Sequence, residues 1–243
     1  MNKIKKKKTI LILSIVIFCL IIPAVVAASY FAGGKRYYLA GAVTAILSMI
    51  PFFVDFERSR GNARYLAVAA VMTALAVVSR AAFFWAPNFK PMAGVIIITA
   101  SALGPRCGFM CGALSMLISN FIFGQGPWTP WQMLCYGLIG FTAGLLSGCG
   151  LISRAHNIIS AICGFFIVFI FSTILLDTCS VLYFGADISI VTAAAIYLAG
   201  IPVNISNAAA SAICIFLLIK PLSSTIARIK LKYDINTEAV NDS

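Results

Sequence analysis

The sequence predicts an all-α, polytopic membrane protein, and its composition and the spacing of its apolar residues lead to this class. Of its 243 residues, 61% are hydrophobic and only 10% are charged, and the mean hydropathy is +1.01. The apolar residues form segments of about 20 residues, the length of a helix that crosses a bilayer. These segments are expected to be helical because lipid offers exposed backbone groups no hydrogen-bonding partner. The composition excludes a soluble globular domain, a disordered chain and a nucleic-acid-binding module.

The apolar segments predict eight membrane spans. The fourth is shorter than a hydrocarbon core of ~30 Å requires. The eighth is too long for one straight span, so we expect a break at Gly200-Ile201-Pro202, where proline removes a helix hydrogen bond. A surface helix would precede the break and the span would follow it. The predicted spans are residues 9–30, 37–54, 64–85, 91–104, 105–123, 130–148, 157–176 and 188–219.

The distribution of Lys and Arg predicts that both termini are cytoplasmic. The formal net charge is +11, and the basic residues cluster before the first span, between the second and third spans and after the eighth. Between spans on the opposite side lie only Lys35, Arg36 and Lys90, which is the bias expected of a cytoplasmic N-terminus. The first segment could instead be a cleaved secretory signal, but its long apolar stretch favours a retained helix.

The chain carries no recognisable catalytic machinery. Its eight cysteines lack Cys-x-x-Cys spacing and are interpreted as packing residues. The only histidine, His156, lies in a predicted cytoplasmic turn, which excludes a hydrolase triad within the membrane. Of the acidic residues only Asp177 is near a span, and a phosphate-binding loop is absent. We therefore expect no enzyme activity, no metal and no cofactor, and uphill transport would need energy from another chain or an ion.

Small residues line one face of each of three predicted helices, and they form two sets, one in the third span and one shared by the fifth and sixth spans. In the third span the set is Ala63, Ala67, Ala70, Ala74 and Ala81, and its first four members are called the alanine face below. Small residues let another helix backbone approach closely, and the pattern alone favours a contact within the same chain. The second set predicts tight packing inside the bundle and comprises Gly108, Gly112, Gly137, Gly140, Gly144 and Gly148.

Residues 124–133, Gly-Gln-Gly-Pro-Trp-Thr-Pro-Trp-Gln-Met, form the most informative motif and are called the tryptophan loop. Thr129 and Gln132 fit a capping box that starts a helix, and Trp128 and Trp131 fit interfacial anchors. The alternative is a ligand-binding wall, because two indoles beside amide groups provide apolar area with a few polar contacts. The motif alone leaves these two interpretations equal.

Other polar residues are expected at the same end of the bundle. Arg80 either snorkels to the membrane surface or, if it faces the interior, suits an anionic group. Asn88 and Lys90 follow in the next loop. Each remaining candidate could equally be a helix cap or a helix–helix hydrogen bond; these are Asp177, Tyr183, Asp187, Asn204 and Asn207.

From about Arg64 to Lys232 the chain resembles the substrate-specific subunit, or S component, of an energy-coupling factor (ECF) transporter. The tryptophan loop is the most specific match, and within the family the chain is most similar to members associated with cobalamin uptake. Further matching segments are residues 80–84, 87–91, 197–202 and 229–233.

The resemblance implies a six-helix core at residues 57–222 that captures a vitamin-like solute, with cobalamin the leading candidate, from outside the cell membrane. The tail at residues 223–243 is polar and its basic stretch suits a cytoplasmic membrane surface, and the two-helix extension at residues 1–56 departs from the minimal form of the family. The implied partners are a membrane-embedded coupling subunit and, through it, two cytoplasmic ATPases, while the chain itself hydrolyses nothing.

The resemblance also assigns roles to residues. The alanine face, Ala63, Ala67, Ala70 and Ala74, would contact the coupling subunit, which reverses the preference drawn from the pattern alone. Outer loops and outer helix halves would form the substrate site. Its expected residues are Arg80, Asn88, Gln125, Trp128, Trp131 and Asn204.

A self-sufficient, ion-coupled secondary transporter of a small metabolite is the alternative function. Such a protein needs a membrane-embedded acid or an ion site at a broken helix. Only Asp177 and the expected break at residues 200–202 meet this requirement.

Overall fold

A computed structural model describes residues 37–58, 63–152, 156–184 and 189–233. The predicted first span, its alternative cleavage site and Asp187 lie outside the described residues. Within the described ranges every regular element is helical. The elements are α1 Tyr37–Arg58, α2 Ala63–Ala82, α3 Met92–Leu103, α4 Pro105–Phe123, α5 Thr129–Gly148, α6 Asn157–Phe171, a π-helical turn Ser172–Asp177, α7 Thr178–Phe184 and α8 Ile190–Lys232.

Among the described residues, five helical segments are long and apolar enough to cross a membrane, and α3 is a shorter apolar helix. The number of eight spans and the cytoplasmic position of both termini stay predictions. The five segments are Ala40–Glu57, Ala63–Ala82, Pro105–Phe123, Asn157–Tyr183 and Ile190–Lys232.

The chain runs back and forth between two ends of the bundle. We call the end that carries the tryptophan loop the loop end, and the end where α3 stops at Leu103 and α8 stops at Lys232 the tail end. At the tail end, Lys230 Nζ donates to Ala102 O at 2.8 Å and Tyr65 Oη donates to Leu103 O at 3.1 Å. These two bonds satisfy carbonyl groups that the end of α3 leaves unpaired.

Helix α3 lies at the centre of the bundle. Every residue from Met92 to Ala100 is buried, and so is Leu103. Its backbone is therefore enclosed by protein rather than lipid, which explains how a helix shorter than the hydrocarbon core is accommodated.

The predicted break in the last helix is wrong. Helix α8 runs for 43 residues through Pro202 and Pro221 to Lys232, about 65 Å of helix. Side-chain contacts hold it on both sides of Pro202, since Tyr197 bonds Thr178 and Asn204 bonds Asp177. The first ten residues of the expected tail therefore continue this helix.

The seventh predicted span is also longer than expected. Helix α6 continues through the π-helical turn into α7 and ends at Phe184. Turns of this kind insert one residue into a helix and often occur at functional sites, and this one places Asp177 against α8.

Helix α1 packs against the bundle at both of its ends. At the tail end, Arg106 Nε donates to Asp55 Oδ2 at 2.7 Å, and the rings of Phe52 and Phe109 stack with centroids 4.1 Å apart. At the loop end, Gly41 lies against the indole of Trp131. The second expected helix of the N-terminal extension is thus an integral part of the described bundle.

Candidate substrate site and docking face

Arg80 is buried at the loop end of α2, with 7% of its surface exposed. Its Nη1 donates to the hydroxyl of Ser119, to Asn120 Oδ1 at 2.8 Å and to Met116 Sδ at 3.1 Å. The ring of Phe123 lies beside the guanidinium, 4.8 Å from its Cζ. The side chain therefore faces the bundle interior, and the snorkelling interpretation is wrong.

Asn120 connects Arg80 to the tryptophan loop. Its carbonyl oxygen accepts from Arg80, and its amide nitrogen donates to Gln132 Oε1 at 2.7 Å and to Thr129 Oγ1 at 3.2 Å. Thr129 Oγ1 in turn donates to Gln125 Oε1 at 2.9 Å. A chain of polar contacts thus runs from α2 through α4 into the loop.

The predicted capping box is not formed. Thr129 is the first residue of α5, and its Oγ1 bonds Gly126 N, Asn120 and Gln125 rather than the backbone of Gln132. Asn120 supplies the donor that draws both Thr129 and Gln132 towards α4. Sequence reasoning missed Asn120, although an amide inside an apolar span was a signal for a helix–helix hydrogen bond.

A cleft of about 290 Å³ opens at the loop end between α5 and α7. Trp128 and Tyr183 form its aromatic walls, with ring centroids 5.8 Å apart at an interplanar angle of 83°. Trp128 also lies over Gly126, where a Cβ atom would come within 2.4 Å of the indole, so a larger residue at this position would displace the ring. The cleft is lined by Trp128, Gln132, Leu176, Cys179, Ser180 and Tyr183.

Of the six predicted binding residues, Trp128 lines this cleft and the other five do not. Trp131 is half-buried in apolar packing against α1, and Gln125 lines a separate groove beside α1. Asn88 is exposed in the turn that follows α2, with a positive φ of 60°. The structure therefore groups Trp128 with Gln132 and, through Asn120, with Arg80, and the binding roles of all these residues stay predictions.

Asn204 belongs to a second polar group, formed by α8 and the π-helical turn. Its Nδ2 donates to Asp177 Oδ2 at 2.8 Å and to Thr173 Oγ1 at 3.1 Å. The Asp177 carboxylate packs on Gly200, where a Cβ atom would lie 2.5 Å from Oδ1. Asn204 is buried with its amide nitrogen already paired, so its clearest role in the structure is to hold α8 against the turn.

The alanine face points away from the bundle. All four of its residues are exposed, while the opposite side of α2 buries Tyr65, Met72 and Ala76. An apolar groove of about 390 Å³ adjoins the face, between α2 and residues of α1 and α4. The intrachain contact that the alanine pattern alone favours is therefore absent from the described part of the chain.

The family model described as ECF-type riboflavin transporter, S component, matches residues 61–224. The chain belongs to this family of S components. This S component is accordingly a multi-pass membrane protein of a transporter family, not of an enzyme family. No curated protein and no solved structure matches the chain significantly.

The matched region begins just before α2 and ends within α8. It contains the alanine face, the tryptophan loop and the Asp177–Asn204 pair, while α1 precedes it. The match supports the predicted substrate-binding subunit of an ECF vitamin transporter, but it does not support the cobalamin-type assignment.

Proposed function

We propose that this S component captures a planar vitamin of riboflavin size at the loop end and imports it with the help of a coupling subunit and two ATPases. The observation that carries the proposal is the cleft lined by Trp128 and Tyr183, which offers aromatic surface and a few polar groups. This is the usual composition of a small-molecule site. The alanine face supplies the second requirement, an open surface on which a partner helix could dock.

The size of the cleft favours a riboflavin-like solute over cobalamin. Its volume of about 290 Å³ lies at the lower limit of the ~300–1,000 Å³ typical of small-molecule sites. A corrinoid, which carries a macrocycle and a nucleotide loop, is far larger than this space. The name of the matching family points to the same choice.

Basic residues support an orientation with the tail end in the cytoplasm. Arg64, Arg106 and Lys230 all make their contacts at the tail end, whereas Lys90 lies at the loop end. The excess of Lys and Arg is expected on the cytoplasmic side. The cleft would then open to the outside, where a captured vitamin enters.

Energy for import would come from the coupling complex. We propose that a helix of the coupling subunit packs on Ala63, Ala67, Ala70 and Ala74, because small side chains allow close backbone contact in lipid. The S component would reorient as a body and release the solute inside. ATP binding must favour the two orientations of the S component unequally for this cycle to run.

Fluorescence titration with riboflavin tests the proposed site. Purified wild-type protein should quench riboflavin emission with saturation, and Trp128→Ala should weaken binding by ~10-fold, the effect of an aromatic contact of about 1.5 kcal/mol. Trp85→Ala is a matched control, because Trp85 is an exposed indole outside the cleft, with 77% of its surface accessible. Cobalamin as competitor should not displace riboflavin; displacement, or equal binding by Trp128→Ala, would contradict the proposal.

A self-sufficient secondary transporter is the second candidate, and Asp177 is the observation that favours it. The carboxylate is buried beside Asn204 and Thr173, as an ion or proton site would require. The unbroken α8 weakens this candidate, since the expected broken helix is absent. Collapse of the sodium and proton gradients with ionophores at constant ATP would stop uptake by a secondary transporter but not by an S component.

A further inference from the structure

Two basic residues at the loop end, Arg80 and Lys90, have no negatively charged partner in the described part of the chain. Arg80 contacts only a hydroxyl, an amide oxygen and a sulfur as acceptors. Among the described residues the ion pair lies at the other end, between Arg106 and Asp55. A buried charge without a counter-charge is costly, and a basic residue within a span indicates a binding function by default.

Arg80 has donor capacity that its neighbours leave unused. All three of its contacts are made by Nη1, and Nε is buried without any hydrogen-bond partner among the residues described. A guanidinium carries five N–H donors in a rigid plane. Ser119, Asn120 and Phe123 fix the orientation of that plane, so its remaining donors are available to an acceptor that these residues do not supply.

Lys90 adds a second positive charge at the loop end, in the turn whose Phe89 ring packs on Phe83, three residues after Arg80. It is half-buried in the turn before α3, and its ammonium makes no hydrogen bond or ion pair with the described residues. Burial lowers the pKa of Lys90, and the positive charge of Arg80 lowers this pKa further. An anion between the two groups would relieve both the burial cost and the mutual repulsion.

Asn120 links this pair of cations to the cleft. The two hydrogen bonds of Asn120, 2.8 Å to Arg80 and 2.7 Å to Gln132, span the distance from the guanidinium to a residue of the cleft lining. A ligand with its ring in the cleft could therefore extend a polar arm towards Arg80.

We propose that the solute carries an anionic group, a phosphate or a carboxylate, which binds between Arg80 and Lys90 while its planar part lies against Trp128. The proposal rests on the proposed function for the position of the ring. Ser119 and Asn120 are positioning residues that orient the guanidinium towards the anion. A lipid phosphate has the same chemistry, so the tests below separate a soluble anion from a headgroup.

The first test compares riboflavin with riboflavin 5′-phosphate, which differ by the anionic group alone. Wild-type protein should bind the phosphate form at least ~10-fold more tightly, the effect of one hydrogen-bonded charge pair. Lys90→Gln should lose most of this preference and keep its affinity for riboflavin. Lys220→Gln, which removes an exposed charge from α8, should behave as the wild type. Equal affinities of the wild type for the two flavins would overturn the anion site and leave the proposed function intact.

The second test applies if neither flavin binds. That result would refute a flavin as the solute, but it would not test the anion site. Inorganic phosphate and pyrophosphate should raise the melting temperature of the wild type but not of Lys90→Gln or Arg80→Gln. No rise, or an equal rise in all variants, would overturn the proposal. Lys90→Gln keeps this test valid if Arg80→Gln fails to fold.

Measurements in bilayers of two lipid compositions identify the source of the anion. The same measurements are made in nanodiscs of phosphatidylcholine alone and in discs that contain phosphatidylglycerol. A phosphate effect in both compositions supports a soluble anionic solute. An effect that disappears with phosphatidylglycerol, together with retention of that lipid in native mass spectrometry, would assign the two cations to a headgroup and overturn the proposal.

Discussion

The contact between α4 and α5 and the exposed side of α2 carry the same type of small-residue pattern in this S component, but only the first is packed inside the described bundle. On α4 and α5 the glycines meet each other inside the bundle: a Cβ atom at Gly112 would lie 2.1 Å from the Tyr136 carbonyl, and one at Gly140 would lie 2.1 Å from the Gly108 carbonyl. On α2 the alanine face has no such partner among the residues that the structure describes, and its own residues are exposed.

The difference shows that a small-residue pattern predicts close helix contact but not the partner. The glycines at this contact, Gly108 and Gly112 of α4 and Gly140 of α5, are called the glycine face. They lie between consecutive helices joined by the short tryptophan loop, so the partner of each helix is in the same chain. The alanine face lies opposite the buried side of α2, and that buried side, with Tyr65 and Met72, decides which way the alanines point. The described residues supply no close-packed partner for the alanine face, and the coupling subunit is its proposed partner.

The largest effect on stability is expected from a substitution in the glycine face. Gly112→Ala should lower the free energy of unfolding by about 3 kcal/mol, because the new methyl group meets a backbone carbonyl that no rotamer change can move. Gly148→Ala is the matched control, since a Cβ atom there has no neighbour within 4 Å. Thermal unfolding in detergent measures both variants, and equal stability of the two would remove the claim that glycine is required for the α4–α5 contact.

The alanine face should give a large effect on transport with little effect on folding. Ala70→Trp or Ala74→Trp should reduce uptake by at least ~10-fold, equivalent to a loss of about 1.4 kcal/mol in docking, while binding of the solute is retained. Leu75→Trp is the control, as it lies about 100° around the helix from Ala74 and is also exposed. Intact transport in both alanine variants would count against docking at this face.

The boundaries of α3 and α4 were predictable, because local residues mark them, whereas the spans predicted at residues 157–176 and 188–219 end well short of the observed helices. Pro91, Gly104 and Pro105 bracket α3 and start α4, so the observed bounds differ from the predicted ones by a single residue or none. The continuity of α8 through Pro202 was not predictable in this way. It depends on hydrogen bonds from the π-helical turn, which come from residues distant in the sequence.

The candidate site was predictable in its residue types but not in its grouping. Arg80 and Trp128 were selected for their chemistry, and the structure connects them through Asn120, which no local pattern distinguished. Trp131 shares the motif with Trp128, but the turn between them directs it to α1 instead. The direction of a side chain at a loop–helix junction depends on tertiary packing, which a motif does not contain.

A substitution in α1 beside the alanine face should have only a small effect on stability and on uptake. Phe56 of α1 lines the groove beside Ala70, and the Asp55–Arg106 pair holds this end of α1 with side chains 24% and 15% exposed. Asp55→Asn should cost no more than ~1 kcal/mol of stability, as partly exposed ion pairs usually do. Its effect on uptake should also be small, and a transport defect as large as that of Ala74→Trp would extend the docking face to α1.

The most direct measurement of the central claim is uptake of labelled riboflavin in cells that contain this S component with or without the coupling subunit and its two ATPases. We propose that docking of the coupling subunit on the alanine face supplies the energy for import, so uptake should require the complete set and should fall to background when the coupling subunit is missing. Full uptake by the S component alone, in cells that lack all three other proteins, would contradict the account.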